Sequence, residues 1–206
     1  MLIFTPQNLS LAMSRTRLEA FSDGVIAIII TIMVLSIDVP NKANWAMFLE
    51  ILPNILGYAL SFVFVGIYWN NHHHLLHTAE KVTAGIMWAN HNLLFWLSLV
   101  PLSTAWMSKT DFQQFAVVVY ATLLVICGLS YGILSRAILK SLDETNPLHQ
   151  VLRKIGFKEK FSIITYLLAI PITFWHSYIS MGLFLLVSIV WLIPSKEIEE
   201  KVEEKE

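Results

Sequence analysis

The sequence predicts an all-α membrane protein of six transmembrane helices, and three observations carry that expectation. Hydrophobic residues make up 56% of the 206-residue chain and charged residues only 14%, against about 25% charged in an ordinary globular domain. Mean hydropathy is +0.62, and the apolar residues gather into long runs free of Asp, Glu, Lys and Arg. The basic residues fall almost entirely on alternate connecting segments. So little charged surface would not keep a chain dissolved, which excludes a typical cytosolic enzyme. A net charge of −1 gives no reason to expect nucleic acid. The single cysteine, Cys127, sits in an apolar run, so no intrachain disulfide or cysteine-based metal site is possible and its expected role is packing.

A helix crosses the hydrocarbon core with about 20 mostly apolar residues. The first run, residues 18–39, has that length and carries Asp23 near its start and Asp38 near its end. Residues 51–69 are uncharged, with Pro53 in the first turn, where its missing N–H is tolerated. Residues 84–107 and 112–135 fall within two more uncharged runs. The last uncharged run, 161–195, is 35 residues long, too long for one straight helix at about 1.5 Å per residue. Pro171 and the polar pair His176-Ser177 predict a hairpin of two short helices, 161–176 and 178–194. A tilted helix with a re-entrant piece fits the same run.

Six spans with the N-terminus inside place Arg15, Arg17, Lys81, Arg136, Lys140, Arg153, Lys154, Lys158, Lys160, Lys196, Lys201 and Lys205 on the inner side. Only Lys42 and Lys109 fall outside. That asymmetry predicts a multi-pass protein of the cell membrane with both termini cytoplasmic. The Lys/Glu tail after Pro194 reads as a solubilising end. Residues before Met13 read as a loosely ordered extension or an upstream start, and Asp23 argues against a secretory signal. The longest connecting segment, 136–160, is too short for a domain, so the activity is expected inside the membrane.

Ionisable residues within spans mark functional sites by default, because burying them in lipid costs several kcal/mol. The first helix holds the densest group, Arg17, Glu19, Ser22 and Asp23, followed by Gly24. Arg17 and Asp23 stand about 9 Å apart along the axis, so Asp23 needs a partner on another helix. At the same depth the second span ends in Trp69-Asn70-Asn71-His72 and the third reaches His91-Asn92. A network of Ser22 and Asp23 with Trp69, His72 and Asn92 is therefore expected. The other reading is that Asp23 simply caps the helix at the interface.

On the wheel of the first helix, Gly24, Ile28, Thr31 and Leu35 form one stripe about 60° wide, with Asp38 at its edge and Asp23 facing away. Such a stripe reads equally as helix packing. The string His72-His73-His74 with His77 has the right chemistry for a transition metal, but it also reads as an interfacial loop of amphipathic side chains. No cofactor is expected: the chain has no G-x-S-x-G, no H-E-x-x-H, no phosphate-binding glycine loop and no dinucleotide fingerprint.

The segment Arg17-Leu-Glu-Ala-Phe21-Ser22-Asp23-Gly24, followed by Thr31 and Leu35, resembles the R-x-x-x-F-S-D signature of the transmembrane protein 175 family. These are the endolysosomal potassium channels of animals and their prokaryotic relatives. Tyr68-Trp69-x-x-His72 is similar to the family's W-x-x-H at the end of the second span. Asn92-Leu93-Leu94 and Pro101-Leu102-Ser103-Thr104 are similar to its third-span asparagine and P-F-x-T ending, with Leu102 as the departure.

That resemblance implies a prokaryotic, homotetrameric potassium channel, with one six-helix repeat per chain and the first helix lining the pore. Ile28 would then form the apolar constriction, Thr31 a hydroxyl layer and Leu35 a further apolar ring. Gly24 would line the pore and Asp38 would gather cations at the outer mouth. Arg17, Phe21, Ser22, Asp23, Trp69, His72 and Asn92 would hold the pore helix in place without touching the ion. The sequence has no T-V-G-Y-G string, so selectivity would rest on dehydration at the constriction. The rival reading is a proton- or cation-coupled secondary transporter relaying through Asp23 and the histidines. A histidine-rich metalloenzyme is the third.

Overall fold

The computed structural model describes residues 14–142, residue 146 and residues 148–192, and for 148–155 the backbone alone. The N-terminal extension and the Lys/Glu tail expected from sequence lie outside the described residues. Among those described, the chain forms seven α-helices: α1 (Arg15–Leu35), α2 (Trp45–His77), α3 (Ala84–Leu97), α4 (Val100–Lys109), α5 (Gln114–Leu139), α6 (Leu148–Trp175) and α7 (Ser177–Leu192).

Each early helix begins at a polar cap that satisfies a first-turn N–H. Ser14 accepts from Arg17 N, Asn44 from Met47 N and Thr83 from Ile86 N. Asn44 starts α2 well before the uncharged stretch, so Pro53 sits inside the helix and not in its first turn. Its missing N–H deprives the Leu49 carbonyl of a helical donor. At 33 residues α2 is about 50 Å long, well beyond a hydrocarbon core of about 30 Å. The histidines 72–77 are therefore helical, not a loop, because nothing breaks the helix until Thr78 caps it.

Residues 84–107, expected as one helix, are divided at Ser98-Leu99 into α3 and α4. Pro101 supplies the reason: it cannot donate to the Leu97 carbonyl and its ring crowds that position. The α4–α5 turn passes through Asp111 and Phe112, both with left-handed φ (49° and 58°). Burial of the Phe112 side chain holds that strained turn closed. The final run folds as a hairpin turning at His176, tied by Thr173 Oγ1 to Ser180 Oγ at 2.8 Å and by Ser180 Oγ donating to the Ala169 carbonyl at 2.9 Å.

The core gathers around α5, which packs on α3, α4 and α6 and buries Tyr120, Leu124, Cys127, Tyr131, Leu134 and Ile138. One hydroxyl cluster crosses it: Ser61 Oγ lies 2.9 Å from Tyr120 Oη and 2.7 Å from Thr104 Oγ1, joining α2, α4 and α5. Leu102, the departure from the family pattern, points outward at 69% exposure, so it alters an outer face and not this cluster. The outside of the bundle is largely apolar, with Phe62, Phe95, Phe115, Leu129, Ile133, Leu168 and Leu186 among the exposed side chains. A water-soluble monomer does not present apolar surface on that scale; a lipid-facing protein must.

Close approach of α2 and α4 depends on Gly57, where an added Cβ would collide with Ser108 Oγ and stand 3.2 Å from Ser108 Cβ. Gly57→Ala is expected to cost about 1–3 kcal/mol by overpacking, read as a lowered Tm of purified protein. Gly66→Ala, with nothing within 4 Å of the added carbon, should leave Tm unchanged or raise it slightly, since alanine is the better helix former.

Candidate functional site

α1 divides into two faces. Leu18, Ser22, Ile26, Ile29 and Met33 are buried against the rest of the chain, whereas Gly24, Ala27, Ile28, Thr31 and Leu35 are exposed. Ile28 is 57% and Leu35 80% accessible, and nothing lies within 4 Å of a Cβ placed on Gly24. Thr31 Oγ1 sits 3.0 Å from both the Ala27 and the Ile28 carbonyl, so its proton is directed into the helix backbone. Its oxygen lone pairs remain free to face outward.

The buried face is fixed by a chain of polar contacts. Ser22 donates to the Leu18 carbonyl at 2.8 Å, Asn90 Nδ2 donates to Ser22 Oγ at 2.9 Å, and Asn90 Oδ1 lies 2.6 Å from His72 Nε2. An amide oxygen only accepts, so His72 carries its proton on Nε2. Its Nδ1 is buried with no hydrogen-bond partner, which suits the neutral ring: a proton there would be a buried donor with nothing to meet. One residue further along α1, Asp23 Oδ1 accepts from Trp69 Nε1 at 2.9 Å. Phe21 stacks on His91 with ring centroids 5.6 Å apart.

Two residues expected in this cluster lie outside it. Asn92 accepts from Trp96 of its own helix at 3.3 Å; the amide that reaches α1 and α2 is Asn90. The reason is rotational. Asn90 shares the buried side of α3 with Ile86, Ala89, Leu93, Leu94 and Leu97, and two residues on turns a side chain by about 200°. Spacing from Ile86 and Leu93 would have found it. Arg17 is exposed on α1, and Arg15 is the arginine that crosses between helices. Arg15 Nη1 donates to the His77 carbonyl at 3.0 Å and its Nε lies 3.6 Å from Glu19 Oε1. A guanidinium suits that place, where the last carbonyls of α2 carry partial negative charge.

Past the other end of α1, the Asp38 carboxylate pairs with Lys109 Nζ at 2.8 Å, so much of its charge is balanced within the chain. Trp69, His73 and His77 stack along one edge of α2, with centroid separations of 6.5 and 6.2 Å. Among the described residues no group of three His, Cys, Asp or Glu side chains is placed to hold a metal ion.

An apolar-coated helix bundle with its polar groups locked inside has the construction of an integral membrane protein. The family profile described as endosomal/lysosomal potassium channel TMEM175 matches residues 17–101. A Chryseobacterium protein (strain P1-3) described as a potassium channel is 48% identical over 192 residues, covering 93% of this chain and all of that protein. The chain belongs to the TMEM175 family. A crystal structure described as a lysosomal potassium-selective channel TMEM175 homolog from Chamaesiphon minutus superposes with a TM-score of 0.77 at 25% identity, covering 87% of this chain and 96% of that one. A Gallus gallus protein described as an endosomal/lysosomal proton channel is 40% identical over 88 residues, 36% of this chain and 17% of that protein. These relatives are channels, not enzymes.

Asn90→Ala removes a buried amide and leaves both of its partners, Ser22 and His72, facing a void. A loss of roughly 1–3 kcal/mol is expected, measured as a drop in Tm, while Asn92→Ala should be close to neutral. Equal effects of the two substitutions would contradict this assignment.

Proposed function

We propose that the protein is a potassium-permeable cation channel of the cell membrane, a homotetramer whose four α1 helices surround one pore. Each chain would contribute six membrane spans, α3 and α4 together making the third, with both termini in the cytoplasm. The observation that carries this reading is the open face of α1. The chain's own packing buries Ser22, Ile26, Ile29 and Met33 and leaves Gly24, Ile28, Thr31 and Leu35 uncovered.

Four copies of that stripe around an axis would make, in order, a small residue, an apolar ring, a hydroxyl layer and a second apolar ring. Ile28 and Leu35 cannot ligate an ion, so a narrow ring of them bars hydrated ions by dewetting. An ion that passes must shed water there and regain partial compensation from the Thr31 oxygens. Potassium gives up water more readily than sodium, so a modest potassium preference follows, weaker than a cage of carbonyls provides. Asp38, neutralised in part by Lys109, would contribute a weak cation-attracting potential at the outer mouth.

The transporter alternative needs a proton path, and the cluster is poorly built for one. His72 Nε2 and Ser22 meet through the Asn90 amide, which has no pKa near neutrality. Asp23 is held by an indole N–H, a donor that cannot accept in return. The cluster holds helices together and does not relay.

Recording from purified protein in planar bilayers, with potassium on one side and sodium on the other, should give unitary steps with a reversal potential favouring potassium. Ile28→Asn is expected to wet the constriction, raising conductance and reducing the preference. Unchanged conductance would remove α1 from the pore wall, and proton-coupled flux without unitary steps would favour the transporter.

A further inference from the structure

Away from α1, a small, partly open cavity lies between α2, α5, α6 and α7. Its walls include Phe64, Tyr68, Tyr131, Tyr166, Trp191 and a single carboxylate, Glu159. The rings do not stack flat. Tyr68 is tilted by 50° to Phe64 at 4.7 Å, Tyr131 stands at 88° to Tyr68 at 5.9 Å, and Trp191 at 80° to Tyr131 at 6.3 Å. One tilted and two near-perpendicular pairs build the corner of a box.

The polar tips of two of these rings are already committed to the walls. Tyr131 Oη donates to the Asn71 carbonyl at 3.2 Å and Trp191 Nε1 to Ser162 Oγ at 2.7 Å. Glu159 is different: its Oε1 is buried and has no hydrogen-bond partner. Its carboxylate lies over Gly132, where an added Cβ would stand 3.3 Å from Oε2 and 3.5 Å from Arg136 Nη1. No Arg136–Glu159 ion pair within 4.0 Å is present among the described residues, so the guanidinium offsets the carboxylate only from a distance. Trp191 already carries one ammonium, the Nζ of Lys158, 5.8 Å from its ring centroid.

We propose that this cavity binds an alkylammonium group, with the ring faces of Tyr68, Tyr131, Tyr166 and Trp191 around the cation and Glu159 as its counter-charge. A soft cation set among aromatic faces is attracted by their quadrupoles, most strongly when water is excluded. The unpartnered Glu159 oxygen supplies the formal charge that an aromatic box alone lacks. An anionic ligand would meet that carboxylate first. A neutral apolar one would leave it as unsatisfied as before. The same chemistry is offered by a soluble amine or by the ethanolamine headgroup of a membrane lipid, and Glu159 and Trp191 of the cavity wall stand near Arg136 and Lys158, at the end of the bundle assigned above to the cytoplasm. The site is separate from the α1 stripe, so its test stands or falls without the channel reading.

Titration calorimetry of the full-length protein in maltoside micelles with tetramethylammonium chloride, at constant ionic strength in sodium chloride, is expected to give one site per chain. Glu159→Gln, which keeps shape and removes charge, should weaken binding at least tenfold at unchanged Tm, and Trp191→Leu should weaken it as well. Adding phosphatidylethanolamine to the same micelles lowers the apparent affinity if the lipid headgroup is the natural occupant and leaves it unchanged if a soluble amine is. Absence of binding by the folded wild type would overturn the proposal. So would binding that is insensitive to Glu159→Gln but altered by Ile28→Asn, which would place the cation in the pore.

Discussion

The angle at which α1 is rolled about its own axis depends on one buried amide. Asn90 meets Ser22 of α1 through its nitrogen and His72 of α2 through its oxygen, in a place where neither partner can turn to water. Rolling α1 by a single residue, about 100°, would strip Ser22 from that amide and leave buried donors and acceptors unmet. Trp69 and Asp23 pin the same turn from the side, and Arg15 anchors the start of the helix to the end of α2. The roll angle in turn decides which residues the chain leaves uncovered; Gly24, Ile28, Thr31 and Leu35 are among them, beside Ile32 and Val34.

The rest of the bundle serves as the frame against which that angle is defined. Ser61, Thr104 and Tyr120 tie α2, α4 and α5 together through hydroxyls, and Gly57 lets α4 lie close to α2. The break at Ser98-Leu99 redirects the chain between α3, which carries Asn90, and α4, which carries Thr104. One interrupted helix thus serves two separate locks. Hydrogen bonds between apolar helices are individually modest, and it is their placement at successive depths that gives a defined rotation.

Much of this was legible in the sequence because lipid imposes coarse rules. Long uncharged runs located the helices, and the F-S-D string with the later W-x-x-H located the pair of elements that α1 meets. Rotation about a helix axis was less legible. Asn90 and Asn92 both look like intramembrane amides, and only the burial of Ile86, Leu93 and Leu97 tells which faces inward. Arg15 and Arg17 present the same ambiguity at the end of α1. The histidine string reads from sequence as an interfacial loop or a metal site because polarity usually marks a helix end; the uninterrupted backbone from Asn44 to Thr78 makes it the last turns of α2 instead. The box around Glu159 was not legible at all, since its walls come from four helices whose residues are far apart in sequence.

Cysteine accessibility along α1 tests the central claim most directly, since Cys127 is buried and gives a quiet background. Single cysteines at 24, 28, 31 and 35, and at 26, 29 and 33, would be exposed to a water-soluble cationic thiol reagent while current is recorded. Our account predicts rapid, irreversible loss of current at positions 28, 31 and 35, and none at 26, 29 and 33. Block confined to the second set, or spread evenly around the helix, would contradict it.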